Sequence, residues 1–339
     1  MPNKPLISVI IVSYNTSALT CQTVESVANN IAQSDLLKDK SEVIVVDNNS
    51  QDSSTADLRA LWQKLAAKLH LEPGGLHLIQ NKENLGFGRA NNLAIDMAEG
   101  RYWLFLNSDT IVQDNALEKM VQAFEGQHIN EQTAHLISHA GELDRLGILA
   151  AHLLNSNYST QPQGGDLPTL FSVASNLFFL NDLPVIGSLF PSVQRKDINS
   201  FSKKSVKHEK MVQQGWVGGT AMMVRPEMMA EIGQFDPNIF MYGEDVEMCL
   251  RAQDHHWDVA ICTNADIIHL GSASSSSENA LLGEFKGYQY IWAKHKPAWQ
   301  RPLLKAILHT STLFKQFVFG TILGQTKRAK PYELIRKSL

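Results

Sequence analysis

Carboxylates and amides recur in this chain where apolar, β-branched runs stop: in VIVVDNNSQDSS (43–54), NKENLGFGRANN (81–92), YWLFLNSDT (102–110) and the long stretch 215–251. Asp47 follows Val43, Ile44, Val45 and Val46, a run that fits a strand buried on both faces. In open α/β sheets ligands bind beyond the carboxyl ends of strands, so such an acid can accept from a pyrimidine N–H or a ribose hydroxyl. Asp109, after Asn107 and Ser108, has the hard oxygen chemistry that holds a divalent ion against a diphosphate. Glu244 and Asp245 open a helical stretch and offer a base for a sugar hydroxyl, a poor nucleophile until its proton is removed. Each acid also has a plain structural role open to it: Asp47 and Asp109 as turn residues, the acidic pair as a helix cap in a favourable dipole. Their recurrence at successive strand ends favours a nucleotide-diphosphate site.

Those residues need a scaffold, and the sequence supplies one. Leu6 to Val12 reads as a buried strand ending in Ser13, Tyr14 and Asn15, followed by a helical stretch from Ala18 to Asn30. A strand from Leu76 to Ile79 leads to Asn84, Gly86 and Gly88, and Arg89 and Asn92 then open a helix whose N-terminus suits phosphate. Gly86 and Gly88 lack the third glycine of a dinucleotide fingerprint, which argues against a dehydrogenase. Further on, Trp216, Gly218, Gly219 and Thr220 precede the apolar run Ala221 to Val224, and Pro226 suits the first turn of a short helix. His269 ends another strand-like run, where a histidine is either a rim residue or a ligand.

Together these motifs resemble the family 2 glycosyltransferases of GT-A fold, in their rhamnosyltransferase-like branch, over roughly residues 6–110 and 215–275. The resemblance implies a Rossmann-like α/β architecture, a mixed, mostly parallel sheet flanked by helices, with a C-terminal helical appendage. It divides the chain into a catalytic domain at 1–275 and a helical region at 276–339. The first comprises a nucleotide-sugar half at 1–110 and an acceptor half at 111–275, with 126–214 variable. By the same resemblance Asp47 contacts the nucleobase, and Asn92 and its loop contact the nucleotide-sugar. Asn107, Ser108 and Asp109 form a degenerate Asp-x-Asp motif in which Asp109 binds Mn²⁺ or Mg²⁺. Asp245 would be the base, and His269 would complete the metal shell, where an imidazole tilts preference toward Mn²⁺. The implied reaction is inverting sugar transfer, with dTDP-rhamnose the favoured donor, to a hydroxyl of a glycan or lipid-linked acceptor in polysaccharide assembly. Two readings of other classes remain: a nucleotidyltransferase, and a non-catalytic sugar-nucleotide-binding membrane scaffold suggested by Asn107 in place of an aspartate.

Charge is unevenly placed. Residues 294–339 carry ten lysines and arginines against one acid, Glu333, in a chain of net charge −4. Between Leu303 and Leu323 this tail is also apolar at near-helical spacing, but Lys305 and Lys315 interrupt it, and a charge at the bilayer centre costs about 2.5–3.5 kcal/mol. The expectation is an amphipathic helix on the cytoplasmic face of a membrane, with packing on the catalytic domain or homodimer formation as alternatives. The acidic body and the lack of a nucleic-acid motif exclude nucleic acid as a partner. The N-terminus runs straight into a strand, so a cytoplasmic enzyme without a signal peptide is expected. Cys21, Cys249 and Cys262 lack metal-binding spacing and read as free thiols. The lysine-rich stretch 194–214 reads as a loop beside the acceptor site.

Overall fold

Alternation within the apolar runs builds both faces of a central sheet. In this computed structural model, which describes residues 4–72, 74–126, 145–194, 211–271 and 277–339, the strands β1 (Ile7–Ser13), β2 (Ser41–Asp47), β3 (Leu76–Gln80) and β4 (Tyr102–Asn107) pair in parallel. Val9, Val43 and Leu104 face one core, under the helices α1 (Ser17–Gln33) and α2 (Ser54–Leu69). Ile10, Ile44 and Phe105 face the other, under α3 (Phe87–Ile95). Burial on both sides explains the unbroken β-branched strands.

The second half of the chain completes this sheet. Strand β5 (Thr110–Val112) and helix α4 (Ala116–Phe124) are followed by β6 (Leu146–Leu154) and a two-residue strand, β7 (Gly164–Gly165). Helix α5 (Leu170–Leu177) comes next, capped by Thr169, whose hydroxyl accepts from the Ser172 N–H. Short strands β8 (Met211–Gln213), β9 (Trp216–Val217) and β10 (Ala221–Val224) lead to helices α6 (Pro226–Ile232) and α7 (Glu244–Asp254) and to the long β11 (Asp258–His269). The nine-stranded sheet of the described residues runs β3-β2-β1-β4-β10-β6-β11-β5, with β8 also on β11. Strand β10 is antiparallel to both its neighbours.

Three C-terminal helices follow: α8 (Ser277–His295), α9 (Gln300–Gln316), which continues in a π turn at Phe317–Ile322, and α10 (Thr326–Ser338). They share a third apolar cluster with α5 and α7, in which Phe285, Trp292, Leu304, Leu308 and Ile335 meet Val173, Val246 and Leu250. The stripe read from the tail is thus partly used against the protein. Helix α7 lies between two cores, since Met248 and Cys249 belong to the sheet-facing cluster. No helix among the described residues is long and apolar enough to cross a membrane. The three cysteines are free. Most of the expected loop, 195–210, lies outside the described residues.

Candidate active site

Register places the first group of candidates side by side. Ser13 pairs with Asp47 across β1 and β2, and Val12 with Asn107 across β1 and β4. The carboxyl ends of three parallel strands therefore meet at one edge, where an open α/β sheet binds ligand. Ser13 is buried, its hydroxyl held by Thr20 at 2.8 Å. Asn15 is exposed and ties two loops together: its N–H donates to Ser50 Oγ at 2.9 Å and its Oδ1 accepts from the Gln51 N–H at 2.7 Å. Tyr14 beside it is half-buried. The Asp47 carboxylate, buried at the bottom of this cleft, accepts the Ser50 N–H at 3.4 Å on both oxygens, long bonds that leave it able to accept from a ligand.

The residue after Asp47 organises the next loop. Asn48 is buried and uses its whole amide: Nδ2 donates to Asn84 Oδ1 (2.8 Å) and to the Gly86 carbonyl (3.2 Å), while Oδ1 accepts from Asn81 Nδ2 (2.9 Å) and the Leu85 N–H (3.0 Å). Asn84 is thereby a member of this knot, and it also takes the Gly86 N–H at 2.9 Å. Asn92 forms a reciprocal pair with the Phe235 backbone, donating to its carbonyl at 2.8 Å and accepting its N–H at 3.1 Å. Both asparagines thus shape the loop from within the protein. Arg89, in the first turn of α3, is exposed. Gly86 has φ +80°, and an added Cβ would lie 2.2 Å from the Phe240 carbonyl, so only glycine fits here.

Asp109 and His269 come together through pairing of β5 with β11, in which Thr110 lies opposite His269. The Leu270 N–H also donates to the Asp109 carbonyl at 2.9 Å. His269 Nε2 stands 3.3 Å from Asp109 Oδ1, and its Nδ1 meets Gln161 Oε1 at 2.7 Å. An amide oxygen can only accept, so Nδ1 donates to Gln161 and Nε2 is the ring nitrogen turned to the Asp109 carboxylate. An imidazole nitrogen and a carboxylate this close can hold a cation between them, with the outer partner orienting the ring as it does for metal-binding histidines. One carboxylate and one imidazole fit Mn²⁺ or Mg²⁺ completed by phosphate oxygens and water. Among the described residues no set of three such protein ligands occurs. Asn107 is half-buried, with its backbone N–H bound to the Thr220 carbonyl at 2.8 Å.

Asp245 is tied to this strand end through the Gly219–Thr220 backbone, since Thr220 takes the Asn107 N–H. Its Oδ2 accepts the Gly219 N–H at 3.1 Å and its Oδ1 the Val246 N–H at 2.8 Å. Gly219 in turn lies against the Phe87 ring, where an added Cβ would come within 3.2 Å, so the Gly86-Phe87 loop and the acidic pair share a wall. Gly218 donates to the Gln163 carbonyl at 2.6 Å and Trp216 Nε1 to the Val193 carbonyl at 2.6 Å. Thr220 is half-buried. Burial raises the pKa of Asp245, and burial together with the Asp245 charge pushes Glu244 up to about 8. Glu244 Oε2 has no partner in the buried interior. A carboxylate with a raised pKa is a better base than one in water.

An elbow aims the pair. Tyr242 has φ +71° and Gly243 φ +102°, and α8 presses on this turn through Gly287, where a Cβ would lie 2.8 Å from the Tyr242 carbonyl. Lys294 of α8 clamps Asp236 (2.5 Å) and the fully buried Glu247 (2.7 Å), and Arg251 and His295 also bind Glu247. The C-terminal helices thus brace the segment that delivers Glu244 and Asp245. Gln161, this clasp and the loop-holding role of Asn48 escaped the sequence reading because their signal lies in three-dimensional partners; an internal asparagine or glutamine does not declare its partners.

Residues 8–163 match the Glycosyl transferase family 2 profile. The chain is 23% identical over 307 residues to an N-acetylglucosaminyl-diphospho-decaprenol L-rhamnosyltransferase of Mycobacterium tuberculosis, covering 85% of this chain and 86% of that one. It is 34% identical over 119 residues to a putative teichuronic acid biosynthesis glycosyltransferase, TuaG, of Bacillus subtilis, covering 35% of this chain and 42% of that protein. An uncharacterized glycosyltransferase of Haemophilus influenzae is matched over 38% of its length, so the chain spans about two fifths of these last two relatives. Among solved structures, the mannosyltransferase PcManGT of Pyrobaculum calidifontis, in complex with GDP-Man and Mn²⁺, aligns with TM-score 0.52 at 12% identity over 98% of this chain and 87% of that one. Profile and fold agree: residues 8–163 match a glycosyl transferase family 2 domain, and the sheet in which they are set has the GT-A fold.

Proposed function

We propose that this protein transfers one sugar from a nucleotide diphosphate to a hydroxyl of a glycan or lipid-linked acceptor, with inversion at the anomeric carbon. The observation that carries this is Asp245, held by the Gly219 N–H at 3.1 Å beside Thr220, whose carbonyl takes the Asn107 N–H at 2.8 Å, so the base adjoins the strand end that bears Asn107. Asp47 and the Asn15–Ser50 loops bind the nucleoside, while the Gly86–Arg89 turn and Asn107 take the diphosphate and ribose. Asp245 accepts the acceptor's hydroxyl proton as the oxygen bonds to the anomeric carbon, and the sugar–oxygen bond to the diphosphate breaks with its electron pair on the leaving phosphate. A single base gives inversion. Asp109 and His269 would hold a divalent cation, which when bound offsets the charge of the departing diphosphate. Trp216 and the Gly218–Thr220 strap face the acceptor, and Glu244 supports Asp245 from behind.

The relative named for L-rhamnosyl transfer, matched along most of both chains, supports rhamnose as the sugar moved, here from dTDP-rhamnose, and its name supports a diphosphate-linked lipid as acceptor. The basic C-terminal helices support a position on the cytoplasmic face of a membrane, where such an acceptor would be presented.

Thermal unfolding against a panel of nucleotide-sugars, with and without Mn²⁺, tests the reading without an acceptor. A ligand that binds only the folded state adds about 2.7 kcal/mol at a hundredfold excess over Kd. A Mn²⁺-dependent shift confined to one sugar names the donor, and NMR of the anomeric proton in the product then reports inversion. Folded protein that shifts with none of them overturns the proposal in favour of a scaffold. Synthesis of a nucleotide-sugar from a sugar phosphate would favour a nucleotidyltransferase.

A further inference from the structure

Two segments far apart in sequence meet through aromatic packing, and each carries exposed apolar side chains. The first is the pair of 3₁₀ turns at Leu180–Asp182 and Gly187–Leu189, where Val185 is 97% exposed, Leu189 80%, and Ile186 is exposed as well. Val185 also has φ +68°, a strained conformation for a β-branched residue. The second is the end of α9 with its π turn, where Phe317, Ile322 and Leu323 are more than half exposed. Aromatic packing joins them: Phe178 and Phe179 lie 5.4 and 6.1 Å from the Phe314 ring, Phe179 lies 6.1 Å from Phe319, and the Lys315 ammonium sits 5.1 Å above Phe179. Exposed cations edge the patch on α10: Lys327, Lys330 and Arg328, whose guanidinium lies 4.6 Å over Phe319.

We propose that this composite surface, Val185, Ile186 and Leu189 beside Phe317, Ile322 and Leu323, seats the protein in an anionic phospholipid bilayer. The inference deepens the lipid-linked-acceptor reading above and rests on it only for its purpose. Apolar side chains flanked by lysine and arginine match the acyl boundary and the headgroups of such a membrane. A second copy of the chain is the poorer occupant, because a two-fold contact would bring this cationic edge close to its own image. The acids near this edge are already engaged within the chain: Glu333 is bonded to Lys337 at 2.9 Å, and Asp182 of the first segment acts on the Lys315 ammonium. The turns also lead toward the acceptor side, since the chain from Leu189 reaches Val193, whose carbonyl holds Trp216.

Sedimentation of the full chain with vesicles of 30 mol% phosphatidylglycerol in phosphatidylcholine, against phosphatidylcholine alone, tests this and needs no turnover, so it can fail independently of the transferase reading. Binding is expected to the anionic vesicles and to fall with salt. Val185→Ser with Leu189→Ser, both outside the core, should lower the partition coefficient at least about tenfold on both vesicle types, with the thermal midpoint unchanged. Lys327→Gln and Lys330→Gln should each cost about fivefold on anionic vesicles only. No binding to anionic vesicles overturns the proposal. So does binding that neither pair alters, or a dimer that the serine pair dissociates while lipid binding is absent.

Discussion

His269 Nε2 lies 3.3 Å from Asp109 Oδ1, and Gln161 fixes the other ring nitrogen at 2.7 Å. A cation held by this pair depends on Gln161, which would touch neither cation nor substrate. Gln161→Leu should raise the Mn²⁺ concentration for half-maximal turnover about 10–100-fold, with maximal turnover at saturating metal largely retained. Titration of activity with Mn²⁺ checks it. An unchanged metal requirement would show that the ion binds elsewhere.

The Gly219 and Val246 N–H groups hold the two oxygens of Asp245, at 3.1 and 2.8 Å. Replacement Asp245→Asn can keep only one of these two bonds, because an amide has a single acceptor oxygen, and it removes the proton acceptor; it should lower kcat about 10²–10⁴-fold while donor affinity stays within about twofold. Steady-state kinetics beside calorimetric donor binding separates the two. Full turnover in the variant would remove Asp245 from the reaction.

Glu244 predicts an unusual pH dependence of stability. Burial first, and the Asp245 charge second, raise its pKa from 4.5 to about 8, so between those values the folded protein binds more protons than the unfolded one. Stability should therefore fall as pH rises through that window, by at most about 1.4 kcal/mol per pH unit. Glu247 behaves in the opposite sense. Its burial alone would raise its pKa, yet bonds from Arg251, Lys294 and His295 hold it below the usual range, so its contribution is present at neutral pH and lost in acid. Unfolding midpoints of the wild type and Glu244→Gln from pH 4 to 9 should diverge toward the alkaline side. Parallel curves would mean that Glu244 is ionised at neutral pH.

Asn48 joins Asn81, Asn84, Leu85 and Gly86 through four hydrogen bonds. Asn48→Ala leaves several of these partners unpaired in a buried site, at about 1–3 kcal/mol for each that water cannot reach. The expected result is a loss of about 2–4 kcal/mol in urea unfolding and a raised donor KM with little change in kcat. A donor KM equal to that of the wild type would show that the 81–86 loop does not meet the nucleotide-sugar.

The strands and their polar ends were legible because doubly buried strands leave continuous β-branched runs and the carboxyl edge follows from their direction. Asp47, Asn107 and Asp109 could therefore be placed on one edge from the sequence. Pairing of β5 with β11, which brings His269 to Asp109, joins segments far apart in the chain and has no local signature. The inward turn of Asn84 and Asn92 was hidden for the same reason: an amide's type does not say whether it faces ligand or backbone. Lys315 illustrates the tail. Its charge interrupts the apolar stripe, yet in the fold it is buried between the Phe179 and Tyr332 rings, so the stripe divides into a packed face and an exposed end.

The strand order also carries a timetable. Strands β1 to β4 are complete by Asn107, but the free side of β4 is closed only by Ala221–Val224, and β10 must then pair with β6. While the chain is being made, β4 therefore presents unpaired backbone groups until the middle of the protein has emerged, a state open to unwanted strand addition. A nascent chain halted near residue 215 would hold the four parallel strands with one raw edge and would still lack Phe235 and Phe240, on which the loop from Gly86 to Asn92 rests.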